Sequence, residues 1–194
     1  MTAIIDYGAG NIFSVKNALD FLGADCKLTD NPQDIINADK LILPGVGAFP
    51  WAMKKLEESG LIEVIKEETL KKPLLGICLG MQLLFTKGFE FEECNGLDLI
   101  PGKVEKIDVP LIIPHMGWNE LKPLAESKWD IKDKYVYFVH SYQAVCEDKY
   151  ISYYCEYGKK IPAMVQKDNV IGCQFHPEKS GEVGLNILRK FIEI

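Results

Sequence analysis

A single α/β domain is predicted for this 194-residue chain: a doubly wound, mostly parallel central sheet with helices on both faces and a hairpin-rich second half. Three observations predict it. The first half alternates short apolar runs with amphipathic stretches of helical period, the pattern of repeated β/α units. Several of those runs end in glycine-rich turns. After Gly96 the texture changes to short β-rich segments punctuated by Pro and Gly.

Taken in order, TAIID (residues 2–6) is the first strand, followed by a helix from about Asn11 to Leu22, the strand DCKLT (25–29), a short helical piece after Pro32 and the strand KLILP (40–44). Helical patterns follow over Trp51 to Glu58 and Leu61 to Lys71, and PLLGIC (73–78) is the next strand. Such alternation implies parallel strands covered by helices, with ligands bound at the strands' carboxyl ends. The β-rich segments of the second half are GKVEKI (102–107), PLIIPHM (110–116), YVYFVHSY (135–142), YISYYCEY (150–157), AMVQKD (163–168) and VIGCQF (170–175). A closing helix from about Glu182 to Ile192 places Val183, Leu185, Leu188 and Ile192 roughly on one face.

The totals exclude several classes of function. A net charge of −6 from 22 basic and 28 acidic residues, with no block of like charge, leaves no basic stripe for nucleic acid. No apolar run reaches the roughly 18 to 20 residues of a membrane span, and the N-terminus lacks a signal peptide's basic flank and cleavage site. A cytoplasmic location is expected. The six cysteines include no CxxC pair, which argues against a zinc site or a disulfide framework, so most are expected to be reduced, buried small hydrophobes.

Cys78 is the exception. It stands where a strand hands over to a helix between flanking glycines, so its thiol projects from a strained elbow toward free backbone N–H groups and the partial positive charge of a helix start. Both favour a thiolate, and the N–H of Leu79 is the natural first donor to a tetrahedral oxyanion. His176 ends another strongly apolar strand and has a carboxylate, Glu178, two residues on, with Pro177 fixing the backbone between them. A carboxylate on one ring nitrogen sets the tautomer and leaves the other to take the thiol proton. Cys78, His176 and Glu178 therefore form a candidate nucleophile, base and orienting acid.

LILPGVGAF (41–49) is a further strand with a glycine-rich end, expected beside the Cys78 elbow, where the N–H of Val46 or Gly47 could serve as a second oxyanion donor. DYGAGN (6–11) imitates a dinucleotide fingerprint, but Phe13 stands where its third glycine belongs, and the pair Gly8 and Gly10 reads as a tight turn. In PHMGWN (114–119), a histidine, a methionine and a tryptophan surround a glycine turn, as in either an interface or a core. His140, Ser141 and Tyr142 form a polar strand end that could line a pocket.

Across nearly its whole length the chain resembles the class-I, triad-type glutamine amidotransferases, and within them the branch that forms the glutaminase subunit of imidazole glycerol phosphate synthase in histidine biosynthesis. The motifs are DYGAGNIFS, PGVGAF, GICLGMQLLF, GLDLIPG, PHMGWN, YFVHSY and FHPEKS. The resemblance implies a class I glutaminase-like fold and a reaction: Cys78 attacks the side-chain amide of glutamine, His176 protonates the departing ammonia, and water hydrolyses the thioester. It also implies an oxyanion strand at PGVG, a glutamine site made by Gln82 and the backbone near Ser141 and Tyr142, and a partner face bearing Trp118, Tyr137 and Lys179. No cofactor or metal is implied. The implied partner is a separate (β/α)8-barrel cyclase that takes up the ammonia and makes imidazole glycerol phosphate and an aminoimidazole carboxamide ribotide.

The chain departs from the family pattern at TKGFEFEECN (86–95), with Phe89 and Phe91, and in lacking a basic residue before Pro114. Rival readings are a paralogous glutaminase serving a vitamin B6 or amino-sugar synthase, a cysteine hydrolase acting alone, and a non-catalytic module. The intact Cys78, His176 and Glu178 set speaks against the last.

Overall fold

The computed structural model describes residues 1–124, 129–131 and 134–194. The first half runs β1 (Thr2–Ile5), α1 (Ile12–Phe21), β2 (Cys26–Thr29), α2 (Pro32–Asn37), β3 (Lys40–Gly45), α3 (Phe49–Glu58), α4 (Ile62–Thr69), β4 (Leu74–Cys78) and α5 (Leu79–Leu83). The second half runs β5 (Phe85–Gly88), β6 (Cys94–Asn95), β7 (Ile100–Lys106), β8 (His115–Glu120), β9 (Lys122–Pro123), β10 (Tyr135–His140), β11 (Tyr142–Val145), β12 (Ile151–Glu156), β13 (Lys160–Lys167), β14 (Val170–Cys173) and α6 (Gly181–Glu193).

The main sheet has the order β2-β1-β3-β4-β14-β13-β12-β9. Its first five strands are parallel, and β13, β12 and β9 extend it antiparallel. Every residue of β1, β4 and β14 is buried, as expected of parallel strands covered on both faces. Side chains alternate between two cores. Ala3, Ile5, Leu41 and Leu43 point into one with α2, α3, α4 and α5, whereas Ile4, Ile42, Leu75 and Ile77 point into the other with α1 and α6. The sheet is thus wound on both faces. The remaining strands form an antiparallel β10-β8 pair and a four-stranded sheet, β11-β7-β5-β6.

The structure corrects three local expectations. PLII of PLIIPHM is not a strand, and β8 begins only at His115; Pro110 and Pro114 have no N–H to give a ladder. On α6 the buried residues are Gly184, Ile187, Leu188 and Phe191, while Val183, Leu185 and Ile192 flank them half-buried. The helix turns its largest ring inward and Gly184 lets it approach Pro177, whose carbonyl oxygen lies 1.9 Å from where a Cβ would sit. Of the six free cysteines only Cys78, Cys155 and Cys173 are buried; Cys26, Cys94 and Cys146 are half-buried. No described helix is long and apolar enough to cross a membrane.

Candidate active site

Cys78 ends β4, and its backbone is held at φ 54°, ψ −111°, a left-handed conformation that costs a non-glycine residue of order 1–3 kcal/mol. What holds it there is close packing of glycines. A Cβ on Gly80 would lie 1.9 Å from the Leu43 carbonyl oxygen, one on Gly76 would lie 2.7 Å from the Gly80 oxygen, and one on Gly45 would lie 2.6 Å from the Gly80 nitrogen. The start of α5 is therefore pressed against β3 and β4, and the chain can leave β4 only through the sharp turn that projects the thiol. The helix behind Cys78 is five residues long. Its contribution is accordingly that of the free N–H groups of its first turn more than of a long dipole.

His176 follows β14, the strand paired in parallel with β4 through Cys173 and Ile77. Cys78 and His176, 98 residues apart in sequence, thus emerge at the carboxyl ends of neighbouring strands. The backbone of His176 donates to the Tyr137 carbonyl at 3.0 Å, and the Ser180 hydroxyl donates to the His176 carbonyl at 2.6 Å. The ring is buried, with Nδ1 2.8 Å from Glu178 Oε1. Nδ1 carries the proton toward that carboxylate and Nε2 is left for sulfur. Burial, the largest single influence, depresses the imidazole pKa, but hydrogen bonds to Cys78 and Glu178 and the charges of both outweigh it and raise it to about 9. Glu178 Oε2 is buried without a partner among the described residues. Burial pushes the other five thiols up, Cys26 and Cys146 to about 11 and Cys155 to about 12, so none of them competes as a nucleophile near neutrality.

A cavity of about 350 Å³ opens over the thiol, lined by Val46, Gly47, Cys78, Leu79, Gln82, Glu90, Pro114, Val139, His140, Ser141, Tyr142 and His176. All the oxyanion and glutamine-site residues expected from sequence border it. Gly45 pairs with Cys78 across the β3–β4 ladder, so the PGVG turn lies beside the elbow; Gly47 has φ 103°, and Val46 is exposed. The DYGAGN turn proves to be a brace for this strand end. The buried Tyr7 hydroxyl donates to the Pro44 carbonyl at 2.9 Å, and Gly10, at φ 117°, packs on the Pro44 backbone. Burial, with the nearby Cys78 adding to it, holds the Tyr7 phenol above its ordinary range, so it remains a donor.

Glu90 was not among the residues singled out from the sequence. It faces the cavity and also accepts from the Phe49 backbone N–H at 2.7 Å, at the start of α3. Its neighbours Phe89 and Phe91 are exposed. The cue is alternation: two aromatics two residues apart, with an acid facing the other way.

On the outer side of β8 and β10, Trp118 pairs across strands with Tyr137, ring centroids 6.2 Å apart, and Met116 and Tyr135 are exposed nearby. Lys179 is exposed one residue beyond Glu178. Tyr137 and Lys179 are thus each bonded to the His176 backbone, and Trp118 stands across the ladder from Tyr137.

Behind the cavity His140 Nδ1 bonds the Tyr142 carbonyl at 2.8 Å, His140 Nε2 lies 2.9 Å from His115 Nδ1, and His115 Nε2 lies 3.2 Å from Asn119 Nδ2. Each ring donates through one nitrogen and accepts through the other, so both are neutral. Burial pushes His115 down to about 4 and His140 to about 3. An unfolded histidine titrates near 6.5, so between that pH and about 4 the unfolded chain binds more protons, and stability is lost as pH falls. At about 1.4 kcal/mol per pH unit of difference, the pair is expected to cost a few kcal/mol by pH 4.5. Thermal melts from pH 7 to 4.5 should show this decline; an unchanged melting temperature would contradict neutral pairing.

An elbow thiol, an imidazole fixed by a carboxylate and a neighbouring turn able to present N–H groups suit acyl transfer from an amide. Residues 3–194 match the family model described as Glutamine amidotransferase class-I. The chain is 54% identical to the imidazole glycerol phosphate synthase subunit HisH of Bacillus mycoides (strain KBAB4), over 98% of this chain and 93% of that relative. It is 53% identical to the protein of the same description from Bacillus thuringiensis (strain Al Hakam), over the same shares. In fold it is similar to a crystal structure of a glutamine amidotransferase (TM-score 0.79, 19% identity, 98% of this chain and 97% of that one) and to PurLQS from Thermotoga maritima (TM-score 0.76, 20% identity, 99% and 97%). With the match running from the first strand to the last helix, and with sheet and elbow arranged as such an enzyme needs, the chain belongs to the class-I glutamine amidotransferases.

Proposed function

We propose that this chain is the glutaminase subunit of an imidazole glycerol phosphate synthase, releasing ammonia from glutamine for a cyclase subunit in histidine biosynthesis. The observation that carries the chemistry is the opening of Cys78 and His176 into one cavity from neighbouring strands, with Glu178 on the far nitrogen of the ring. The pathway rests on 53–54% identity to subunits of that description over nearly the whole chain.

The sulfur of Cys78 attacks the glutamine side-chain carbonyl carbon, and the C=O pair moves to oxygen as an oxyanion. The N–H of Leu79 and one from Val46 or Gly47 bind that charge, each such donor being worth about 2.7–4 kcal/mol in comparable sites. Collapse expels the amide nitrogen, to which His176 Nε2 gives its proton, so ammonia leaves and a γ-glutamyl thioester remains. Water then attacks the thioester with His176 as base, yielding glutamate and the free thiol. Glu178 stabilises the imidazolium throughout.

Glutamine brings an α-ammonium and an α-carboxylate. Glu90, the carboxylate lining the cavity, is the natural partner of the first; backbone at Ser141 and Tyr142 faces the second. Gln82 acts through its hold on this wall, since its amide nitrogen is engaged with the Tyr142 carbonyl at 3.2 Å and Gln174 Oε1 at 2.9 Å.

The face bearing exposed Trp118 and Lys179 and half-buried Tyr137 is the one we assign to a (β/α)8-barrel cyclase. Seated there, such a partner would receive ammonia next to His176 and could bias the PGVG turn. The deciding experiment measures glutamine hydrolysis with and without purified cyclase and its ribulosyl ligand. A rise of tenfold or more on adding both is expected. Full turnover by the chain alone would instead favour a hydrolase acting by itself, and failure to bind the cyclase would favour a paralogous synthase.

A further inference from the structure

One backbone oxygen orients a set of side chains that ends at the nucleophile. The Tyr142 carbonyl accepts from His140 Nδ1 at 2.8 Å and from Gln82 at 3.2 Å. A carbonyl can only accept, so the end of the Gln82 amide facing it is nitrogen. That nitrogen also donates to the Gln174 side chain at 2.9 Å, which must therefore present its oxygen there and turn its own nitrogen the other way. Gln174 Nε2 faces the sulfur of Cys78, 3.9 Å away.

Gln174 has no exposed surface, and its backbone is held in place by a bond from its N–H to the Ala163 carbonyl at 2.9 Å. An apolar side chain would fill the same space without the cost of burying an amide. The amide is instead bonded at one end and aimed at the reacting atom with the other.

We propose that Gln174 is a further catalytic residue of the glutaminase, its side-chain N–H donating to the Cys78 sulfur while that atom carries negative charge. The inference rests on the reading of Cys78 as nucleophile. No proton moves to or from the amide; attack, loss of ammonia and hydrolysis keep the balance given above. The donor acts where the sulfur is anionic, as nucleophile before attack and as leaving group when water cleaves the thioester. Hydrogen bonds to an ionised partner are about twice as strong as neutral ones. His176 approaches the sulfur as the second donor.

The test uses the full chain with its cyclase. Q174M removes the donor and keeps an unbranched chain of similar length; Q174E keeps an oxygen for Gln82 but offers a proton only when its carboxyl is protonated. The expected result for Q174M is a fall in kcat of about tenfold with KM within about twofold, and a similar slowing of Cys78 alkylation by iodoacetamide at pH 7. Q174E is expected to show the same loss at pH 8.5 and a smaller one at pH 6. A merely structural glutamine would lower the melting temperature and leave kcat and alkylation of the folded chain as in the parent, which would overturn the inference. So would Q174E matching the parent at pH 8.5, and this variant carries the test alone if Q174M does not fold. A parent chain that forms no thioester at Cys78 would overturn the triad reading and this inference with it; a normal parent beside an unaffected Q174M overturns this inference only.

Discussion

Cys78→Ser abolishes glutamine hydrolysis, lowering kcat by on the order of 10⁴-fold or more, while the partner's ammonia-dependent synthesis continues. Burial lowers the pKa of the imidazole beside Cys78, but hydrogen bonds to Cys78 and Glu178 outweigh it and raise it to about 9; a serine hydroxyl placed there is a far weaker acid and a poorer nucleophile than a thiol. Cys78→Ala should behave alike. Both replacements keep a Cβ at the same φ of 54°, so the elbow and the fold survive, with a melting temperature within a few degrees of the parent. The measurement is glutamate release alongside synthesis fed by ammonium salt, with the cyclase present in both assays. Glutamine turnover persisting in either variant would remove Cys78 from the mechanism.

Gly80→Ala has the second large effect, and it acts without touching the thiol. The added methyl would stand 1.9 Å from the Leu43 carbonyl oxygen in a central strand, so the methyl is held under strain or the elbow has to move. Overpacking of this kind costs about 1–3 kcal/mol when side chains can adjust and more against backbone. At roughly 2–4 °C per kcal/mol for a chain of this size, a fall in melting temperature of about 6–12 °C is expected. If α5 instead moves outward to admit the methyl, Cys78 shifts with it, and a displacement of about 1 Å costs on the order of 100-fold in rate. A variant with parental melting and parental glutaminase activity would show that the glycine packing is dispensable.

Much of this site could be read before any coordinates, because the physics that places it is local. PLLGIC announces a buried parallel strand by an apolar run too long to alternate, and in such a sheet Cys78 has to leave at the carboxyl edge; VIGCQF reads as part of the hairpin-rich half, and its parallel pairing with β4, which brings His176 to the same edge, rests on a contact far along the chain. Gly45 and Gly47 mark the neighbouring turn in the same way. Glu90 and Gln174 were missed for a common reason: what they do depends on contacts far along the chain. Glu90 reaches Phe49 and the cavity, and Gln174 takes its orientation from Gln82, 92 residues earlier. On α6, helical period identified an amphipathic element, but the buried stripe was decided by Gly184 packing under Pro177, which no period reveals. PLII has strand-like residues and no ladder, since Pro110 and the Pro114 that follows the segment cannot donate.

The insertion of β14 between β4 and β13 has a consequence for the order in which this protein becomes an enzyme. The paired residues Ile77 and Cys173 lie far apart in the chain, so joining β4 to β14 closes a long loop, a slower event than pairing strands that are close in sequence. β3 and β4, with the PGVG turn and the Cys78 elbow at their ends, are nearer neighbours in the chain and can meet first. On the proposed reading of the site, a partly folded chain therefore holds its thiol with no imidazole beside it, and ammonia release waits on the slower pairing.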